Sequence, residues 1–175
     1  MKSAKYIILL ILIILSSGCI SSKYALVQNN INNGEWDQAE KICNEILQKD
    51  STAGTAYHYL GLIFSHRGND NSALEMFKKS MKYQPTFESS VEIAQIYFNH
   101  NRLFSAKAYL DSAKMLNPTS EEIKALNIKV QALLSSSEKA FKVGKDFYRE
   151  NNFYRAEQKF QQALNINIKQ DNAGA

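Results

Sequence analysis

The sequence predicts an all-α protein built as an array of antiparallel helix pairs, and three observations carry that prediction. Between Tyr57 and Pro85, the residues Tyr57, Leu60, Gly61 and Phe64 fall at i, i+3, i+4 and i+7. After Gly68, Ala73, Met76, Phe77 and Ser80 repeat the spacing, so two one-faced helices follow each other through a short turn. The pattern then recurs: Ala39, Ala73 and Ala106 lie 34 and 33 residues apart, and Pro85 and Pro118 lie 33 apart. Finally, 175 residues contain only 2 prolines and 7 glycines, so long helices meet few breakers.

Within the Tyr57–Pro85 unit each punctuating residue has a physical task. Gly68 ends the first helix, where the chain needs a residue that tolerates positive φ. Asn69, Asp70 and Asn71 offer side chains to cap the next N-terminus. Gly61 and Ala73 let the two helices approach closely while Leu60, Phe64 and Phe77 fill the seam, and Pro85 stops the second helix.

Tyr57, Leu60, Gly61, Phe64, Ala73, Phe77 and Pro85 stand in the order and spacing of the tetratricopeptide repeat, which this unit resembles. The resemblance implies a right-handed α-solenoid with three consecutive repeats over 24–118, an extra or linking helix over 119–136, and a fourth repeat over 137–168. In the first copy Leu26 and Val27 take the Leu-Gly positions, Gly34 the turn, Trp36 the turn aromatic, and Cys43 and Ile46 the second helix. Its first helix, QNNINN, is polar, as terminal repeats often are. In the third copy Ile93, Ala94 and Tyr97 face Leu110 and Ala113, and in the fourth Val143, Gly144 and Phe147 face Phe160 and Ala163, with Phe153 as the turn aromatic.

From Ala106 to Ala156 the interval is 50 residues, one period of 34 plus 16. The additional residues carry a helical stripe at Ile123, Leu126, Val130 and Leu133. If Ser135, Ser136 and Ser137 form a turn, an odd helix is inserted. If they are helical, the stripe runs on through Ser137, Ala140, Gly144 and Phe147 as one helix of about 31 residues. The absence of Gly or Pro favours the continuous helix. The tail, 169–175, falls where a further repeat would start.

Residues 1–18 read as a secretory signal: Lys2 and Lys5, then an apolar run too short to span a bilayer comfortably, then Ser16, Ser17 and Gly18. Cys19 follows, and the segment resembles a bacterial lipoprotein signal, although Ser16 stands where that pattern prefers leucine. The resemblance implies cleavage before Cys19, acylation of its sulfur and a short tether over 19–23. The other reading is an uncleaved anchor. Ile20 stands where aspartate would signal inner-membrane retention, so the resemblance points to the outer membrane, facing the periplasm. Lipidation of Cys19 leaves Cys43 alone, which excludes an intramolecular disulfide and makes Cys43 a small core residue. The formal charge of +4 becomes +2 once Lys2 and Lys5 are removed, too little and too scattered to suggest nucleic acid.

No Gly-rich phosphate loop, HExxH pair, CxxC or GxSxG elbow occurs, so the sequence supports neither an enzyme nor a cofactor. His58 and His66, two helical turns apart, lack a third metal ligand, and no metal site is expected. What remains is a surface. In tetratricopeptide arrays the first helix of each repeat lines a concave wall. That wall would hold Tyr24, Gln28 and Ile31, then His58, Leu62 and His66, then Val91, Gln95 and Phe98; Phe141, Lys145, Tyr148 and Arg149 would line the fourth unit. Aromatic and aliphatic anchors among amides suit burial of a partner's side chains. Tyr24, His58 and Val91 replace the lysine with which such arrays clamp a C-terminal carboxylate, so a chaperone-tail receptor is not expected. The expectation is a non-catalytic, membrane-anchored scaffold that holds a protein or peptide while an envelope complex assembles. The alternative is a periplasmic accessory module that binds glycan strands or a soluble ligand beside an envelope enzyme.

Overall fold

The computed structural model describes residues 21–166. The signal segment, the lipidation candidate Cys19 and the tail from 169 lie outside the described residues. Among those described there are eight helices and no strand: α1 (21–32), α2 (Trp36–Lys49), α3 (Gly54–His66), α4 (Asp70–Tyr83), α5 (Phe87–Asn99), α6 (Leu103–Leu116), α7 (Glu122–Arg149) and α8 (Phe153–Ile166). They form two compact units that divide between Gln84 and Pro85. The first holds two helical hairpins, α1–α2 and α3–α4; the second holds α5–α6 and the pair made by α7 and α8.

One turn closes all four hairpins. Gly34, Gly68, Asn101 and Asn151 adopt φ of +77°, +71°, +57° and +58°, the left-handed region that glycine and asparagine tolerate best. At each, the N–H of that residue donates three residues back and the following N–H donates five back, as in Gly68 to the Ser65 carbonyl and Asn69 to the Phe64 carbonyl, both at 2.9 Å. The motif satisfies carbonyls that a helix end leaves unpaired and starts the next helix after a single residue. Asn69 and Asn152 then cap that helix through their side chains, accepting from Ser72 N (3.2 Å) and Arg155 N (3.3 Å).

In the first unit Val27, Ala39, Ile42, Cys43 and Ile46 pack with Ala56, Leu60 and Ile63 of α3 in one core. Gly61 is obligatory there: a Cβ on it would lie 2.5 Å from the fully buried ring of Phe77. Sixteen residues separate Gly61 from Phe77, and the same interval links Val27 to Cys43, Ala94 to Leu110 and Gly144 to Phe160. A large residue on one helix of a hairpin is thus matched by a small one on the other, which keeps the filled volume similar as identities change. Burial pushes the Cys43 thiol up to about 12, with Glu40 adding to the effect, so the sulfur stays protonated. Two first-repeat positions depart from the others. Leu26, in the register of Leu60, is exposed, because no described helix precedes α1 to cover it. Asn30, in the register of Phe64, Tyr97 and Phe147, is buried, with its Nδ2 unpaired among the described residues.

In the second unit Thr86 caps α5, accepting from Ser89 N at 3.2 Å, and Ile93, Ala94, Leu103, Ala106, Leu110 and Ala113 close the α5–α6 seam. α7 runs unbroken for 28 residues with Ser135, Ser136 and Ser137 helical. Its first half lies against α6 and α5, and its second half pairs with α8. The buried stripe passes through Leu134 rather than the expected Leu133; the two lie one helical step apart, and packing against the neighbours selects the former. Ser137 gives its hydroxyl to the Ala163 carbonyl at 3.0 Å, which makes a polar residue tolerable at the seam. Gly144 repeats the role of Gly61, with the Phe160 ring 2.7 Å from where its Cβ would be. No described helix is long and apolar enough to cross a membrane.

Candidate partner groove

The second unit carries a groove of about 940 Å³ where α7 and α8 meet the start of α6. Phe104 comes from α6, Phe141 and Tyr148 from α7, and Phe153, Phe160 and Leu164 from α8. Phe141 and Tyr148 are 53% and 59% exposed, and Phe153 and Leu164 each 55%, a degree of solvent contact unusual for so many large apolar side chains together. Ring contacts hold them in place: Phe141 lies 5.4 Å from Phe160, and Tyr148 meets Phe153 edge-on at 5.4 Å. Glu138 and Glu157 are the acidic side chains in the lining, and neither forms an ion pair among the described residues. Lys145 flanks the groove, its Nζ 6.0 Å above the Phe141 ring. The surface is therefore apolar, aromatic and locally acidic on a chain of net positive charge.

Of the residues expected to line the fourth unit, Phe141 and Tyr148 do so, Lys145 stands at the edge, and Arg149 pairs with Asp146 at 3.1 Å. Phe104, Glu138, Phe153, Glu157, Phe160 and Leu164 were not expected at a partner surface. Those on α8 occupy second-helix positions, which a repeat register assigns to the interior. The available signal was the density of large apolar residues on α8.

In the first unit the expected wall residues sit on α1 and α3. Tyr24 and Tyr59 are 6.2 Å apart, and the Tyr59 hydroxyl donates to Gln28 Oε1 at 3.2 Å. Burial pushes both phenols above their ordinary range, so they act as donors at neutral pH. Ile31 is half-buried on the core, His58 lies 5.6 Å from Phe77, and Leu62 is half-buried. His66 stacks on Trp36 at 3.8 Å, and beside it Arg67 forks to Glu40 at 2.7 Å and Asp37 at 2.5 Å. On α5, Val91 and Phe98 are half-buried, while Gln95 is exposed and donates to Asn99 at 2.8 Å. Among the described residues no group of His, Cys, Asp and Glu is arranged to hold a metal ion.

Repeated hairpins with small-for-large seams and a shared left-handed turn define the tetratricopeptide class of α-solenoid, and the chain has that fold. No protein-family model matches the sequence, and no curated protein does. Solved structures of the class do resemble it. The Yersinia enterocolitica type III secretion chaperone SycD, in complex with a peptide of the translocator YopD, superposes with a TM-score of 0.54 at 18% identity, over 65% of this chain and 87% of that one. PcrH of Pseudomonas aeruginosa, in complex with the chaperone-binding region of PopD, gives 0.55 at 22% over 68% and 90%. YrrB, a repeat protein of this class with an unusual peptide-binding site, gives 0.53 at 17% over 82% and 84%.

Proposed function

We propose that this protein is a non-catalytic scaffold of a bacterial envelope, anchored by lipid at Cys19 and holding a protein or peptide partner while a larger assembly forms. The observation that carries the reading is the α6–α8 groove, whose exposed aromatic side chains are held by one another rather than covered. Such a surface costs solubility unless something occupies it. The peptide complexes of its structural neighbours support a peptide or protein occupant. The anchor rests on the order of segments before Cys19, and Ile20 after it supports the outer membrane, facing the periplasm, as the scaffold's location.

A photo-crosslinking residue at position 141, in the full chain expressed in its own kind of cell, is expected to give a discrete protein adduct after irradiation. The same residue at position 129, an exposed lysine of α7 outside the groove, is expected to give none. Equal labelling from both positions would refute the groove as the site. Cys19→Ser is expected to release the chain from membranes and remove the acyl mass; retention of both would refute the anchor.

A further inference from the structure

The α1–α2 hairpin shows what the α7–α8 groove is shaped to receive. Register equates Phe141 with Tyr24, Tyr148 with Ile31, Phe153 with Trp36, and Leu164 with Leu47. The four first-unit residues are all half-buried, because α3 lies over that side of the hairpin and joins its core. Tyr24 meets Tyr59 of α3, Trp36 stacks on His66 of α3, and Glu40 is bound by Arg67 just past the end of α3. Glu157 is the register equivalent of Glu40 and pairs with no cation among the described residues. Among the described residues, the same face of the same hairpin is thus helix-covered in the first unit and uncovered in the second, down to the carboxylate.

We propose that the groove takes a helix from a partner protein, packed as α3 is packed on α1–α2, with an apolar stripe against Phe141 and Phe160 and an arginine or lysine just past its C-terminal end reaching Glu157. This rests on the reading of the groove as a docking site and adds the occupant's conformation, direction and charge. The groove spans residues 137 to 148 of α7, about 16 Å at 1.5 Å per residue, which accommodates about three helical turns. An extended segment would leave backbone groups unpaired against an apolar wall, whereas a helix satisfies its own. A second copy meeting the groove face to face would set Glu138 and Glu157 against their like, so charge favours a basic partner over self-association.

The test uses the full chain in detergent and a fluorescent peptide of residues 54–67, the helix that covers the equivalent face in the first unit, measured by anisotropy. Saturable binding is expected, lost in Phe141→Asp and weakened about three- to fivefold in Glu157→Gln, as for a partly exposed ion pair. A peptide carrying Arg67→Glu should bind more weakly, and Glu157→Lys should restore it. Because Phe141 is exposed, Phe141→Asp should keep the wild-type helical circular dichroism. Equal affinity for both peptides would overturn the charge assignment. No saturable binding of either would overturn the helix assignment, leaving the crosslink from position 141 to judge the docking site itself. A dimer by sedimentation that Phe141→Asp dissolves would overturn the proposal in favour of a second copy.

Discussion

The α3–α4 and α7–α8 hairpins share a glycine facing a phenylalanine sixteen residues later, yet the phenylalanines live in different surroundings. Phe77 is fully buried, while Phe160 is only half-buried and forms part of an open groove. Local register makes the hairpin, and the neighbouring elements decide whether its aromatic residue is core or surface. A residue type at a repeat position therefore reports geometry, and only the coverage of the hairpin reports function.

The sharpest way to break this comparison is to truncate both rings. Phe77→Ala should cost about 3–5 kcal/mol, as for a large core residue, and Phe160→Ala about 1–2 kcal/mol. In a Cys19→Ser background, alkylation of Cys43 isolates the first unit, since the buried, protonated thiol reacts only when that unit opens. Phe77→Ala should accelerate labelling strongly and Phe160→Ala hardly at all; similar acceleration by both would mean that the two hairpins open together.

Adding a methyl group probes the same contact from the other side. Gly61→Ala drives a Cβ into a ring that has no room to move and should destabilise by about 1–3 kcal/mol. Gly144→Ala meets a ring that can swing toward solvent and, at 3.3 Å, the Ala156 carbonyl, and it gains helix propensity of about 1 kcal/mol, so its loss in thermal midpoint should be clearly smaller than that of Gly61→Ala. A third measurement concerns Asn30, whose buried Nδ2 has no partner among the described residues, at a position that elsewhere is aromatic. Asn30→Leu should stabilise the first unit by about 1 kcal/mol, read as slower Cys43 labelling.

The smallest expected effect lies in the second unit. Burial, reinforced by Glu122, pushes the Glu92 carboxyl above its ordinary range, so folding favours its protonated form. Its contribution to stability is present at acidic pH and fades as pH rises through the folded-state pKa. Glu92→Gln should therefore raise the thermal midpoint at pH 7 by about one or two degrees and leave it unchanged well below the carboxylate range. A pH-independent effect would mean that the substitution acts through packing.

The hairpins, their order and their turns were legible in the sequence because each depends on contacts within about 34 residues: the i, i+3, i+4, i+7 stripes, Gly34 and Gly68, and the alanines that open each second helix. Asn101 and Asn151 were not read as left-handed turn residues, although they occupy the same register, since asparagine is less diagnostic there than glycine. The groove was legible only on α7, at Phe141 and Tyr148. Its α8 side was hidden because whether Phe153, Phe160 and Leu164 are covered depends on what packs against the hairpin, and a local pattern cannot state that.

The unbroken passage of α7 through Ser135, Ser136 and Ser137 makes one helix the common axle of the second unit. An α-helix advances about 100° per residue, so adding one residue at the serines would turn the α8 hairpin about a quarter of a revolution relative to α6. Each hairpin would keep its own seam, but Phe104 would no longer face Phe141. Adding seven residues would bring the faces back into near alignment while displacing them by about two turns along the axis. The composition of the groove is thus set by an angular phase, counted in residues along a serine stretch that meets the groove only at its last member, Ser137.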